Sequence, residues 1–377
     1  MSNYMWTDNL GRTYEYEPYE AEPIANLSVS LSESAALAVA EASRALGTVP
    51  ALPGAGIASV LYRSESSASS IIEDITVGPR RILEAEVATA DEIRDPIASR
   101  IIGNLKGLRN ALTTPFPADP DDYLRWHRLL TEGHPRMKDV DIGAYRTKQN
   151  WIGGDGYGPR NAAFVPPRPE VVETLTSDLA AYTSRTDIAP VVQAAVAHAR
   201  FEVIHPFTDG NGRVGRMLIQ HVLAGRISLD APVPVSIPWS QDTDGYIERL
   251  RQYQAGDTDA WIEFFGMSVV AAVAWMHSAE NRVASLLSSL ADRSRSRGES
   301  VAARVIRDLP VHPIVNSDTV AERYGISRQA AHEALARLGE DGVLTERSFS
   351  RRTKSGRPRQ MYASTELIEL LSEIITD

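Results

Sequence analysis

The 377-residue chain contains no cysteine. Disulfides, thiolate nucleophiles and Cys-ligated metals are therefore excluded, and a cytoplasmic location fits. No uninterrupted run of about eighteen apolar residues is present to span a bilayer, so no membrane partner is expected. The opening stretch, "MSNYMWTDNLGRTYEYEPYE", lacks a basic segment followed by an apolar one, and no signal peptide is expected there. Positive charge is in deficit: 39 Lys and Arg against 49 Asp and Glu give a formal charge of −10. That argues against a surface built throughout to grip nucleic acid, though a local basic patch stays open. The 43% apolar and 23% charged fractions are those of a folded, soluble protein. The length predicts two or three domains.

What the chain does contain is helical periodicity. A loop-rich start leads into a helical pattern in "LSVSLSESAALAVAEASRALG", closed by Gly47 and Pro50. From about residue 58 to 290 apolar residues recur at helical spacing, as in "APVVQAAVAHARFEVI" and "GRMLIQHVLAGRI". The segment "DIGAYRTKQNWIGGDGYGPRNAAFVPPRP" breaks that rhythm, and Gly153, Gly154 and Gly156 among short β-prone pieces predict a hairpin. After the polar stretch 292–300, which could equally extend the preceding helix, three short helical segments follow. Ser317 and Ser327 stand where N-caps belong, Gly325 and Gly342 where helices stop. "VLTERSFSRRTKSGRPRQMYAS" then reads as two strands around a basic tip, which completes a winged helix-turn-helix. The division expected is a helical region over 1–90, a core over 91–290 and the winged helix over 300–377.

The densest chemistry lies at residues 204–216, "IHPFTDGNGRVGR". Pro206 disfavours helical geometry at His205, so the preceding helix should end there and present the imidazole at its mouth. Gly210 and Gly212 let backbone N–H groups approach a ligand closely. A helix beginning near Asn211 adds unpaired N–H groups and the positive end of its dipole, an anion site suited to phosphates. Arg213 and Arg216, three apart, share a face and can lean back over one anion. Asp209 is a hard oxygen ligand, enough for Mg²⁺ where phosphates supply the rest. His205 can serve as general base. The alternative, a capped turn before a solvated Arg-rich helix, leaves this coincidence of residue types unexplained.

The stretch resembles the Fic family, whose motif His-Pro-Phe-x-Asp/Glu-Gly-Asn-Gly-Arg-x-x-Arg is met from His205 to Arg216 at every defined position. The likeness extends over roughly residues 15–290. "GAYRTKQNWIGG" and "AAFVPPRP" resemble the family's flap and its flank, and "HARFEVIHPF" the helix entering the loop. The fold it implies is mainly α: a Fic-type helical core with a small β-hairpin flap, followed by the winged helix-turn-helix. The activity it implies is protein adenylyltransfer, AMP moving from ATP onto a hydroxyl side chain of a target protein, with Mg²⁺. By position, His205 is then the base and Asp209 the Mg²⁺ ligand. Asn211 with the Gly210 and Gly212 backbone holds the α- and β-phosphates, and Arg213 and Arg216 hold the distal ones. The target would lie along the flap near Trp151 and Gly154 by strand addition, and a homodimer is a further possible assembly.

Upstream, "SSIIED" resembles the family's inhibitory motif Ser/Thr-x-x-x-Glu-Gly/Asn, with Ser69 and Glu73 four apart on one predicted helical face. The resemblance implies that Glu73 pairs with Arg216 and takes the γ-phosphate's space, as a bidentate Arg–carboxylate pair can. Asp74 departs from Gly/Asn. His198, two turns before His205, reads as a hydrogen-bonded core or neighbouring residue. In the tail, Arg328 and Gln329 open the expected recognition helix. Arg347, Arg351, Arg352, Lys354, Arg357 and Arg359 form a basic run able to bind DNA phosphates; winged helices also dock proteins. Two rivals stand beside the transferase: a hydrolase removing AMP with Glu73 orienting water, and a DNA-binding regulator in which the Fic site only senses nucleotide.

Overall fold

The computed structural model describes residues 4–7, 10–51, 53–88, 95–132, 137–154, 158–296, 298–349 and 359–376. Strands β1 (Tyr4–Thr7) and β2 (Thr13–Tyr16) open it, followed by α1 (Glu33–Leu46), α2 (Ala55–Ile71), α3 (Pro79–Glu86), α4 (Pro96–Thr113) and α5 (Pro120–Thr131). Next come α6 (Val172–Thr183), α7 (Pro190–Ile204), α8 (Asn211–Ile227), α9 (Ser236–Gln241), α10 (Thr243–Gln254) and α11 (Thr258–Ser294). The C-terminal elements are α12 (Val301–Asp308), β3 (Ile314–Val315), α13 (Ser317–Tyr324), α14 (Arg328–Glu340), β4 (Thr345–Phe349), β5 (Arg359–Ala363) and α15 (Thr365–Thr376). The fold is mainly helical, as the periodicity predicts. Its contacts divide into two units interleaved along the chain. Residues 1–90 contribute to both, and residues 300–377 lie wholly in the second.

The first unit holds Met1–Thr48, Lys106–Leu229 and Asp242–Val270. Its centre is the pair α7 and α8. Every residue of α7 from Val191 to Ile204 is buried, including Gln193, His198, Arg200 and Glu202. A helix buried on all sides must find partners for its polar groups. Gln193 donates from Nε2 to the carbonyls of Tyr182, Thr183 and Arg185, and so closes the C-terminal end of α6. Trp261, on α11, donates from its indole N–H to the Ala195 carbonyl at 2.8 Å. The loop-rich start expected from sequence is instead a β-hairpin. Tyr4 pairs with Tyr16 and Trp6 with Tyr14, and period-two alternation puts these four aromatics on one face. Trp6 meets Trp151 edge-on at 5.0 Å, and the Arg168 guanidinium lies 5.1 Å from the Tyr4 ring. The predicted helix over 27–47 begins later, at Glu33, because the Ser32 side chain accepts from Ala35 N–H as its N-cap.

The second unit holds Val49–Leu105, Asp230–Gln241 and Ala271–Asp377. One apolar core runs through it, with Val60 of α2, Leu83 of α3 and Val283 and Leu290 of α11. Val305, Leu335, Leu338, Leu367 and Leu371 join that core from the C-terminal helices. Arg63 of α2 is buried in this unit. It pairs bidentately with Glu86 and donates to the carbonyls of Pro310 and Val311 at 2.6 and 2.8 Å. Glu65, also buried, accepts from Ser236 at both Oγ and N–H, which caps α9. The C-terminal region is a winged helix with a three-stranded antiparallel sheet ordered β3-β5-β4. Two strands were expected; β3 is only two residues long and leaves no periodic signal. Asn316, not Ser317, caps α13, in a reciprocal capping box with Thr319. Ser327 caps α14 as predicted, and Gly325 ends α13 with φ 64°. By length and composition α11 could cross a bilayer, but half of its most apolar stretch is buried in the protein, as in a core helix.

Candidate functional site

α7 stops at Ile204, and His205 takes φ 49°, ψ 58°, its N–H bonded to Phe201 O at 2.9 Å. This left-handed conformation turns the chain out of the helix one residue before Pro206. Gly210 follows with φ 86° as the N-cap of α8. Only glycine suits it: a Cβ there would stand 2.9 Å from Leu130 Cδ2. The loop 205–210 thus runs from a histidine at one helix C-terminus to the open N-terminus of the next, as the sequence predicts. Gly212 lies in the first turn of α8. Asn211 is buried, and its amide spans the loop. Oδ1 accepts from Phe207 N–H at 2.7 Å and Nδ2 donates to Phe207 O at 2.9 Å. In this geometry its side chain shapes the loop.

The charged groups take distinct partners. Asp209 has a half-exposed side chain and accepts from Arg213 Nη2 at 3.2 Å. Arg213 and Arg216 are both 1% exposed, so two guanidinium groups sit inside the unit beside the loop. Arg216 makes a long 3.5 Å contact with the Tyr246 hydroxyl. That hydroxyl also meets His198 Nε2 at 2.8 Å. Burial, and then the Arg216 charge, push the His198 pKa down to about 3. His198 is therefore a neutral, hydrogen-bonded core residue next to an arginine of the loop. Glu202 Oε2 lies 4.0 Å from His205 Nδ1. Among the described residues, no group of three or more acidic, His or Cys side chains is arranged to hold a metal ion. A single accessible carboxylate at Asp209 fits Mg²⁺, which takes one or two carboxylates and completes its shell with water and phosphate.

Four residues at this site escape the motif. His127 contacts Asp209 and Phe207. Glu202 and Tyr246 stand beside His205 and Arg216. Arg146, buried, donates to the carbonyls of His205 (2.8 Å), Ile204 (3.3 Å) and Pro167, while its own N–H bonds Pro206 O at 2.9 Å. Burial pushes its pKa down to about 10. Arg146 thereby holds the end of α7, where the last carbonyls have no partner within the helix. The "YR" pair was visible beside the flap, but nothing local linked it to His205. The flap itself is a single antiparallel bridge, Ile152 with Phe164, among the described residues; residues 155–157 lie outside them.

Ser69 and Glu73 belong to the second unit. Ser69 is buried on α2, but that helix ends at Ile71, so Glu73 does not share a helical face with it. Glu73 lies in the turn that follows, its N–H on Ser70 O, and Asp74 has φ 57°. A left-handed position favours Gly and Asn, and Asp meets the same demand. On the winged helix, Arg328 pairs with Asp318 at 2.8 Å and Gln329 with Glu333 at 2.8 Å. Arg347 and Arg359 lie within β4 and β5, whereas Arg351, Arg352, Lys354 and Arg357 lie outside the described residues.

The site is thus a loop between two buried helices, with two buried arginines beside it. Residues 117–223 match the Fic/DOC family. The chain is 32% identical over 148 residues to a protein adenylyltransferase Fic of Nematostella vectensis, covering 38% of this chain and 30% of that protein. It is 35% identical over 96 residues to a probable protein adenylyltransferase of Aquifex aeolicus, covering 25% and 28%. In both cases it spans less than a third of the relative's own length. A crystal structure of a Fic family protein from Desulfovibrio desulfuricans shares the fold over 93% of this chain and 98% of that one, with a TM-score of 0.58 and 22% identity. Residues 117–223 are thus similar to the Fic/DOC family, the matched relatives are protein adenylyltransferases, and the fold is shared with a Fic family protein.

Proposed function

We propose that the protein transfers AMP from ATP to a hydroxyl side chain of a target protein. The observation that carries this reading is the loop itself. A histidine at the C-terminus of α7 and the open N-terminus of α8 are joined by residues 205–210, with Arg213 and Arg216 buried alongside. The N–H groups opening α8 and the two guanidinium groups bind the polyphosphate. Asp209 would hold Mg²⁺, which when bound neutralises phosphate charge and eases approach of an oxygen nucleophile to phosphorus. His205 takes the proton of the incoming hydroxyl; the new oxygen–phosphorus bond forms at the α-phosphate and pyrophosphate leaves. Glu202, 4.0 Å from His205 Nδ1, is placed to favour the imidazolium that results. The target segment pairs along the flap near Ile152.

Restraint comes from Glu73, which in this reading pairs with Arg216 and competes with the γ-phosphate. The left-handed turn at Asp74, the position where the resembled motif carries Gly or Asn, supports it. The winged helix binds duplex DNA through the basic run between β4 and β5. The deciding experiment incubates the protein and a lysate with Mg²⁺ and either α-labelled or γ-labelled ATP. Label retained on protein from α-labelled ATP alone supports AMP transfer. Retention from γ-labelled ATP overturns it in favour of phosphorylation, and removal of AMP from pre-modified protein in favour of the hydrolase.

A further inference from the structure

His127 of α5 is fully buried, and three contacts fix its ring. Nδ1 accepts from Gly143 N–H at 3.0 Å, which places the ring proton on Nε2. Nε2 then donates to the Asp209 carbonyl at 3.0 Å. The ring stacks on Phe207, centroids 3.9 Å apart and planes 3° from parallel. One side chain therefore grips the loop 205–210 at two points and ties it to Gly143, on the segment leading to the flap.

In a trans peptide the carbonyl and the next N–H point in opposite directions. Anchoring the Asp209 carbonyl on His127 therefore turns the Gly210 N–H away from α5. The same anchor fixes the backbone from which the Asp209 carboxylate projects. We infer that His127 is a positioning residue for phosphate binding, acting through the Asp209–Gly210 peptide plane on a nucleotide polyphosphate with its divalent cation. This rests on the functional reading above. Phe207 supplies stacking but no hydrogen bond to that plane, and Gly210 has no side chain with which to hold it.

Two conservative variants separate the hydrogen bonds from the packing. His127→Gln keeps a donor near the position of Nε2, and His127→Asn keeps an acceptor near that of Nδ1. Both lose the ring, so thermal melting should fall by similar amounts. Mg²⁺–ATP affinity of the full-length chain, measured by calorimetry, should divide them. His127→Gln is expected to bind within about threefold of the wild type. His127→Asn is expected to be about tenfold weaker, the factor one ordinary hydrogen bond represents. Equal affinities in the two variants would overturn the positioning role while leaving the nucleotide site standing. A wild type that fails to bind Mg²⁺–ATP would overturn the functional reading and the positioning role together.

Discussion

His205 adopts a left-handed backbone conformation that costs a non-glycine residue on the order of 1 kcal/mol. Arg146 helps to hold it there, through the His205, Ile204 and Pro167 carbonyls and the Pro206 carbonyl bonded to its N–H. In the proposed mechanism, His205→Ala should reduce AMP transfer by roughly 10²–10⁴-fold while ATP binding persists; wild-type turnover in that variant would remove the base from the mechanism. Arg146→Ala should lower turnover with little change in ATP affinity. A second consequence concerns pH. His198 has a folded pKa near 3 against an ordinary 6.5, so between those values the unfolded chain binds more protons. Stability from neutral His198 is present above pH 6.5 and is lost as pH falls toward 3. The slope reaches up to about 1.4 kcal/mol per pH unit. Melting temperatures of wild type and His198→Gln should converge on acidification through that window. Motif residues were legible because they are contiguous: His205, Asp209, Gly210, Arg213 and Arg216 fall within thirteen positions. His127 and Arg146 were not, because each acts through backbone groups about sixty to eighty residues away, and spacing carries no trace of that.

α2 and the turn after it show what an element adds. Its last helical residue is Ile71, and the turn through Asp74 puts the Glu73 side chain beyond the regular helix. Asp74→Asn should be near neutral in melting temperature, whereas Asp74→Val should destabilise by about 1–2 kcal/mol, since a branched side chain tolerates φ 57° poorly. In the proposed brake, Glu73→Gly raises α-label incorporation above wild type; equal labelling would dismiss the brake. On the winged helix, Arg328 at the opening of α14 pairs with Asp318, and in the proposed DNA-binding reading the basic run of the wing supplies the phosphate contacts. Neutralising Arg351, Arg352 and Lys354 in the full chain should weaken duplex binding across all sequences and flatten its salt dependence. No shift by the wild type at low salt would point to protein docking. Most helices were legible from their apolar spacing. The hairpin β1–β2 was missed although its alternation was present, because strands of four residues give too short a pattern to distinguish from a loop.

At the scale of the whole molecule, sequence neighbours and structural neighbours part company. The second unit draws on residues 49–105 and again on 271–377, with 230–241 between them. Arg63 joins these distant stretches through Glu86, Pro310 and Val311. Its replacement by Ala would strand a largely buried carboxylate and two carbonyls, and should cost about 3 kcal/mol or more in the unfolding of this unit. Calorimetric traces of Arg63→Ala and wild type would show it. On the ribosome the arrangement separates two events in time. At roughly 5–20 residues per second, about fifteen to sixty seconds pass between emergence of α2 and emergence of α15, which completes its core. Every residue of the first unit precedes Ala271, so its sequence is complete while α2 still waits for partners. In the proposed reading, a nascent or prematurely ended chain would then carry the loop 205–210 before the segment proposed to restrain it has a place to fold, and a chain ending at residue 299 should label itself from α-labelled ATP more strongly than the 377-residue chain.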